Sequence, residues 1–301
     1  MPNIKNLIKI DDYCTGLQLE TLHPLVSIVD LSKGKWPGTS DVTSVRYHFY
    51  GVFLKQGESC VLKYGRQNYD YQDGTLVFIG PGQVVNISRI DTDYQPSGYA
   101  LLFHPDFLRG THLGSIMETY SFFSYDNHEA LHISQRERLI VLDCFNKIRI
   151  ELSQGIDKHS KALILSNIEL FLNYCTRFYD RQFITRDNEN LSIIQNFENS
   201  LKAYLKTGKA KEYGIPSVKY FADQLHLSAN YFGDLVKRET GVTAQDYIQM
   251  KIIDAAKDMI FDPDLSISEI AYTLGFKYPQ HFSRLFKKRV GHTPQEYRSM
   301  N

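Results

Sequence analysis

Residues 221–247 recur at 270–297 with one residue inserted, and this internal repeat restricts the possible folds of the 301-residue chain more than any other feature. Ala222 and Leu225 return as Ala271 and Leu274, at an offset of 49. Phe232, Leu235, Lys237, Gly241, Thr243, Gln245 and Tyr247 return as Phe282, Leu285, Lys287, Gly291, Thr293, Gln295 and Tyr297, at an offset of 50. A unit repeated with its apolar positions kept packs in the same way twice. Each copy reads as helix, turn, helix. Ser217–Leu225 and Ser266–Leu274 are compact first helices, in which the serine oxygen can accept an orphan amide hydrogen of the first turn. Ala229–Thr240 and Pro279–Val290 are the second helices. Pro279 suits a first helical turn, and Gly241 and Gly291 suit the left-handed closure of a helix.

The second helices carry narrow apolar sets: Phe232, Leu235 and Val236, then Phe282, Leu285 and Phe286. Their other face is polar, and in the second copy basic, with Arg284, Lys287, Lys288 and Arg289. A short helix anchored on one side and polar on the other is what a major groove ~12 Å wide admits. A pair of helical hairpins with merely solvated faces is the competing reading, and the repetition of caps and anchors disfavours it.

The last ~110 residues resemble the DNA-binding domain of AraC/XylS-type transcription regulators, with two helix-turn-helix motifs joined by a long helix, here Gln245–Ile260. The resemblance is carried by Ile270-Ala271, Gly275-Phe276, His281-Phe282-Ser283-Arg284-Leu285-Phe286-Lys287 and Gly291-His292-Thr293-Pro294-Gln295-Glu296-Tyr297-Arg298. It implies a sequence-specific transcription regulator, an activator, in which both second helices enter successive major grooves of double-stranded DNA. RNA polymerase is the implied protein partner. By the same resemblance, Asn230, Gly233 and Asp234, then Gln280, His281 and Arg284, face bases, while Lys237, Arg238, Lys287 and Lys288 face phosphates. Arg284 has the fork for guanine and Gln280 the amide for adenine. Gly233 and Asp234 depart from the pattern: glycine has no side chain to read with, and aspartate repels phosphate. The second motif is therefore expected to carry most of the readout.

Charge is distributed to match. The chain holds 34 basic and 34 acidic residues, but 191–301 contain 15 and 12, leaving 19 and 22 elsewhere. No apolar run reaches the ~18–20 residues of a membrane span. Met1–Leu7 lacks the basic-then-apolar layout of a signal peptide, so a cytoplasmic protein is expected. Cys14, Cys60, Cys144 and Cys175 form no Cys-x-x-Cys pair and are expected to be reduced thiols.

Upstream, apolar runs at Val45–Leu54, Leu76–Ile79, Gln83–Ile90 and Tyr99–Phe103 lie between Gly/Pro/Asp turns, which predicts strands. The whole chain is expected to be α+β. Its parts are a cupin-like β-barrel sensor in 1–134, a helical hairpin for dimerisation in 135–180, an exposed linker in 181–190, and an all-α domain in 191–301. The cupin assignment follows the family resemblance and Gly74–Gln83. Two helical stripes, Gln135–Leu152 and Lys158–Phe178, are separated by Ser153-Gln154-Gly155. Their surplus of apolar residues serves packing on the β-domain, a homodimer contact, or both.

Trp36, Arg46 and His48 are the candidates for a small-molecule effector pocket; Trp36 and Arg46 are as easily structural, and for His48 a structural hydrogen bond is the favoured reading. No metal or cofactor is expected. The cupin ligand pattern is incomplete, with Gln83 where a histidine would stand and one histidine in Tyr47–Tyr50. His128-Glu129-Ala130-Leu131-His132 has the zinc-protease order, but that chemistry needs a helix. Leu131-His132-Ile133 reads as a strand, which would hold the histidines ~13 Å apart. A non-enzyme is expected. The alternatives are a cupin-type enzyme with a DNA-binding appendage, and a ligand-free regulator controlled by a protein partner.

Overall fold

The computed structural model describes residues 4–35, 43–56, 74–87, 97–126, 129–185 and 187–299. By internal contacts the chain divides into residues 1–185 and 186–301.

In the first unit, β1 (Ile4–Leu7), β3 (Thr43–Tyr47) and β6 (Val84–Ile87) form a small sheet in the order β1-β3-β6. A second sheet comprises β2 (Val26–Asp30), β4 (Tyr50–Gln56), β5 (Thr75–Ile79), β7 (Ser97–Phe103) and β8 (Leu131–His132), in the order β2-β7-β4-β5-β8. β1 runs parallel to β3, and the remaining pairs are antiparallel. The fold is mixed, as expected, but the cupin-like barrel is not what the described residues form. They make two separate sheets, neither closed on itself. The single strand expected over Val45–Leu54 is two, because the chain leaves the small sheet at His48-Phe49 and enters the large one at Tyr50.

Period-two alternation fills the space between the sheets. Val45, Tyr47 and Val85 from one sheet meet Val29, Phe53, Val77, Ile79, Ala100 and Leu102 from the other. α1 (Ile10–Gly16) adds Ile10, Tyr13 and Cys14 to that core. Each large apolar side chain removed from water there contributes roughly 1.5–3 kcal/mol. Two short helices, α2 (Pro105–Leu108) and α3 (His112–Ile116), follow β7. Phe122 and Phe123, in a 3-10 turn, then cover Phe78 on the other face of the large sheet, with ring centroids 4.5 and 5.5 Å away.

That outer face is closed by two antiparallel helices, α4 (Gln135–Ser153) and α5 (Ser160–Thr185). Ser134 and Glu137 form a reciprocal capping box that starts α4. Between the helices lie Val141, Cys144, Phe145 and Ile148 against Ile164, Ile168, Phe171 and Cys175, with Phe145 and Phe171 centroids 5.1 Å apart. Burial raises the thiol pKa of Cys144 and Cys175, and both are free; Cys14 is also free and buried, whereas Cys60 lies outside the described residues.

The exposed linker expected over 181–190 is largely helix. α5 continues to Thr185, and α6 (Asp187–Lys206) begins two residues later. The charge pattern suggested exposure, but tertiary partners take up the polar groups. Arg181 Nε donates to Glu137 Oε1 at 2.8 Å and its Nη2 to His132 O at 2.6 Å. Gln182 is buried; its Oε1 accepts from His132 N at 2.7 Å and its Nε2 donates to Ala130 O at 3.2 Å.

Among the described residues of the second unit every regular element is a helix: α6, α7 (Lys209–Tyr213), α8 (Val218–Gln224), α9 (Ala229–Thr240), α10 (Ala244–Ile260), α11 (Ile267–Thr273), α12 (Pro279–Val290) and α13 (Pro294–Ser299). Phe197 of α6 meets Phe221, Phe232 and Tyr247, with centroids 5.0, 5.0 and 5.6 Å away. A second cluster joins Phe276, Phe282, Phe286 and Tyr297. α10 lies between the clusters and is buried at Tyr247, Ile248, Ile252, Ile253, Ala256 and Ile260.

Candidate nucleic-acid interface

The two copies of the sequence repeat are two helix-turn-helix motifs, α8–α9 and α11–α12. Ser217 Oγ accepts from Tyr220 N and Ser266 Oγ from Glu269 N, so both first helices start on the expected caps. Both end alike. Leu227 N bonds Ala222 O and Phe276 N bonds Ala271 O, each at 2.9 Å, around a residue with left-handed φ, His226 or Gly275. At Gly275 the need for glycine is steric. An added Cβ would lie 2.7 Å from Gly214 C and 2.8 Å from Ala210 O, backbone atoms that cannot yield.

The inserted residue lies between this turn and the second helix. α9 is capped by Ser228, whose hydroxyl accepts from Tyr231 N at 3.1 Å, whereas Tyr278 at the start of α12 makes no side-chain cap. Tyr278 is 47% exposed, packs edge-on against His281 at 5.5 Å, and has Lys277 Nζ 5.8 Å from its ring. The sequence reading missed Tyr278. Its signal was the loss of a serine at the position that Ser228 fills in the first copy.

Phe282 and Phe286 are fully buried and anchor α12, with Leu285 half-buried beside them. Gln280, His281, Arg284, Lys287 and Lys288 are all exposed. Their spacing of i, i+1, i+4, i+7 and i+8 places them along one face. α9 repeats the arrangement more weakly. Tyr231, Phe232, Leu235 and Val236 are buried; Asn230 and Lys237 are exposed, and Gly233, Asp234 and Arg238 are half-buried. A Cβ at Gly233 would meet nothing within 4 Å, so packing does not require glycine there.

Arg289 is also exposed, but its guanidinium is engaged within the domain. Its guanidinium pairs with Asp246 and donates to Gln249 Oε1 at 3.0 Å, tying α12 to α10. The Thr243 hydroxyl caps the start of α10 by accepting from Asp246 N and donates to the Asp246 carboxylate, and Thr243 and Arg289 together hold that carboxyl below the usual range. Arg298 donates to Ile260 O at 2.6 Å and Leu265 O at 2.7 Å, satisfying carbonyls at the C-terminal end of α10 and just beyond. Tyr247 donates to Glu198 between α10 and α6, and burial followed by that carboxylate pushes its phenol pKa up.

Two of the three residues proposed from sequence for an effector pocket, Arg46 and His48, lie among the described residues. Trp36 lies outside the described residues. Arg46 alternates with the core residues Val45 and Tyr47 and so faces away from the space between the sheets. His48 Nε2 lies 3.4 Å from Asn6 Oδ1. Of the zinc-protease-like string, His128 lies outside the described residues and His132 is on strand β8, with Nδ1 3.3 Å from Thr75 Oγ1. Glu129 is buried and its carboxylate accepts from Asp126 N at 2.7 Å. Among the described residues no three His, Cys, Asp or Glu side chains are grouped to hold a metal ion. No described helix is long and apolar enough to cross a membrane.

Two anchored helices on one connecting helix, each with an outward polar face, define a double helix-turn-helix DNA-binding domain. Residues 221–300 match the family described as a helix-turn-helix domain, and this part of the chain is of the AraC type. The chain is 30% identical over 141 residues to the uncharacterized HTH-type transcriptional regulator YfiF of Bacillus subtilis, covering 47% of this chain and 41% of that one. It is 32% identical over 113 residues to the HTH-type transcriptional activator RhaS of Escherichia coli, covering 36% and 40%. Among solved structures it is similar to the C-terminal domain of the response regulator yesN from Fusobacterium nucleatum, at 28% identity and a TM-score of 0.31 over 37% of this chain and 98% of that chain. The chain spans less than half the length of the curated relatives it matches.

Proposed function

We propose that the protein is a sequence-specific transcription regulator, an activator, whose C-terminal unit reads double-stranded DNA through α9 and α12. The observation that carries this reading is the exposed face Gln280–His281–Arg284–Lys287–Lys288 on a helix locked from behind by Phe282 and Phe286. In it Gln280, His281 and Arg284 contact bases and Lys287 and Lys288 contact phosphates. Asn230, Gly233 and Asp234 form the weaker base-facing set of α9, with Lys237 and Arg238 on phosphate.

The N-terminal unit, read as a sensor, supplies control through a small-molecule effector or dimerisation. Dimerisation is supported by Leu139, Leu163 and Leu170, which leave apolar surface exposed on α4 and α5. RNA polymerase is the partner through which an activator in the cytoplasm would act. The reading is that of a regulator and not of an enzyme.

Selection of bound duplexes from a random pool by the full-length protein, near physiological salt, tests the proposal. Two boxes about one helical turn apart are the expected product. Failure to enrich any sequence, with binding that is insensitive to salt, would overturn it.

A further inference from the structure

On the face of the large sheet turned away from the small one, β2, β7 and α4 line a cavity of about 210 Å³ that is open to solvent on one side. Its lining is Ile28, Tyr99, Leu142, Phe145, Asn146 and Arg149. The geometry follows from two periodicities. Ile28 and Tyr99 precede the core residues Val29 and Ala100, so they face the helices and not the inter-sheet core. Leu142, Phe145, Asn146 and Arg149 are spaced i, i+3, i+4 and i+7, which makes them one stripe of α4 laid across both strands.

The chemistry is asymmetric along that stripe. Ile28 and Phe145 are buried and Leu142 is half-buried, giving an apolar floor. Asn146 and Arg149 are exposed at the mouth. Arg149 Nη2 donates to Asn146 Oδ1 at 2.8 Å, which orients the guanidinium, and Arg149 forms no ion pair with a described carboxylate. Asp30, opposite Tyr99 across the β2–β7 pair, accepts from Ser32 N at 3.1 Å and Ser32 Oγ at 2.6 Å, so its charge is engaged elsewhere.

We propose that this cavity binds a small monocarboxylate with a compact apolar body. The carboxylate pairs with the guanidinium fork of Arg149, a planar two-point match. The Tyr99 ring, Leu142, Phe145 and Ile28 take the apolar part. The volume equals about seven water-sized volumes, which suits a phenyl ring or a short branched chain. One cation in a lining that is mostly apolar fits a single negative charge better than a phosphate dianion. The site does not depend on the DNA-binding reading; only its use as an effector site does.

The test is thermal unfolding of the full-length protein with 10 mM phenylacetate, isovalerate or cyclohexanecarboxylate, each against its neutral amide and against sodium chloride. A rise of a few degrees with at least one carboxylate and not with its amide is expected, since a ligand of the native state stabilises by mass action. Two variants locate the site. R149Q removes the charge and L142W fills the cavity, and each should abolish the rise relative to its own ligand-free baseline, whereas R149K should keep part of it. No rise with any carboxylate, an equal rise with the amide, or an undiminished rise in R149Q overturns the proposal. DNA affinity of the selected duplex, measured with and without the active carboxylate, then reports separately on whether occupancy controls DNA binding.

Discussion

His226 and Gly275 hold the same place in the two motif turns, and both are left-handed, with φ of +57° and +90°. Gly275 is pressed against another backbone, that of Gly214 and Ala210. G275A should therefore cost about 3 kcal/mol or more, because a side chain is added where neither φ nor space allows it. H226G should change stability by no more than about 1 kcal/mol, since histidine already tolerates that conformation. Urea unfolding of the two variants distinguishes a steric requirement from a conformational one; equal losses would contradict it.

Arg284 and Lys288 stand on the same exposed face of α12 and are assigned different roles. R284A should cost ~1–3 kcal/mol and relax preference at one base position. K288A should weaken all sequences alike and lower the salt slope by about one. Binding isotherms on matched and mismatched duplexes at several salt concentrations check both. Identical behaviour across sequences would reverse the assignment.

Arg298 acts inside the domain. R298A strands the carbonyls of Ile260 and Leu265 and should cost about 1–3 kcal/mol of stability. R298K, with a point charge in place of a fork, should recover only part. The loss should appear in thermal unfolding without DNA, while the salt slope of DNA binding stays as in the parent protein.

Glu137 gives the first unit an acid-sensitive link. Burial raises its carboxyl pKa, but the Ser134 amide and hydroxyl and the Arg181 guanidinium outweigh that and hold it below 4.5. A folded-state pKa below the unfolded one adds stability above about pH 4.5, and that stability is lost as pH falls through the depressed value. The parent protein should thus lose more melting temperature than E137Q between pH 6 and 3. Parallel curves for the two proteins would count against the link.

Gly233 sits mid-helix with open space where a side chain would project. G233A should stabilise the protein by about 0.5–1 kcal/mol. G233Q should in addition sharpen base preference in the box read by α9, which selection would reveal as added information at one position.

The C-terminal unit was legible in sequence because its determinants are local. Ser217 and Ser266 cap residues three positions away, and Gly241 and Gly291 close their own helices. Where partners are distant in sequence, local reading failed. Val45–Leu54 looked like one strand, since nothing nearby announces that β3 pairs with β1 and β6 while β4 pairs with β5 and β7. Arg181 and Gln182 looked exposed because their acceptors lie 44 to 52 residues away. Arg289 looked like part of the basic outer face of its helix for the same reason, its partners Asp246 and Gln249 lying 43 and 40 residues away.

α10 packs against both motifs at once, and this gives the domain a fixed metric. Its 17 residues amount to ~26 Å of rigid rise. Each residue inserted would advance one motif by about 1.5 Å and swing it by about 100° around the shared axis. Buried contacts along α10 and the Arg289–Asp246 tie oppose such a shift. In the proposed reading of DNA by α9 and α12, the gap and helical phase between the two boxes thus behave as a constant of the scaffold. Divergence to new target sites is channelled into the letters within each box, through side chains on α9 and α12, and away from the spacing between them.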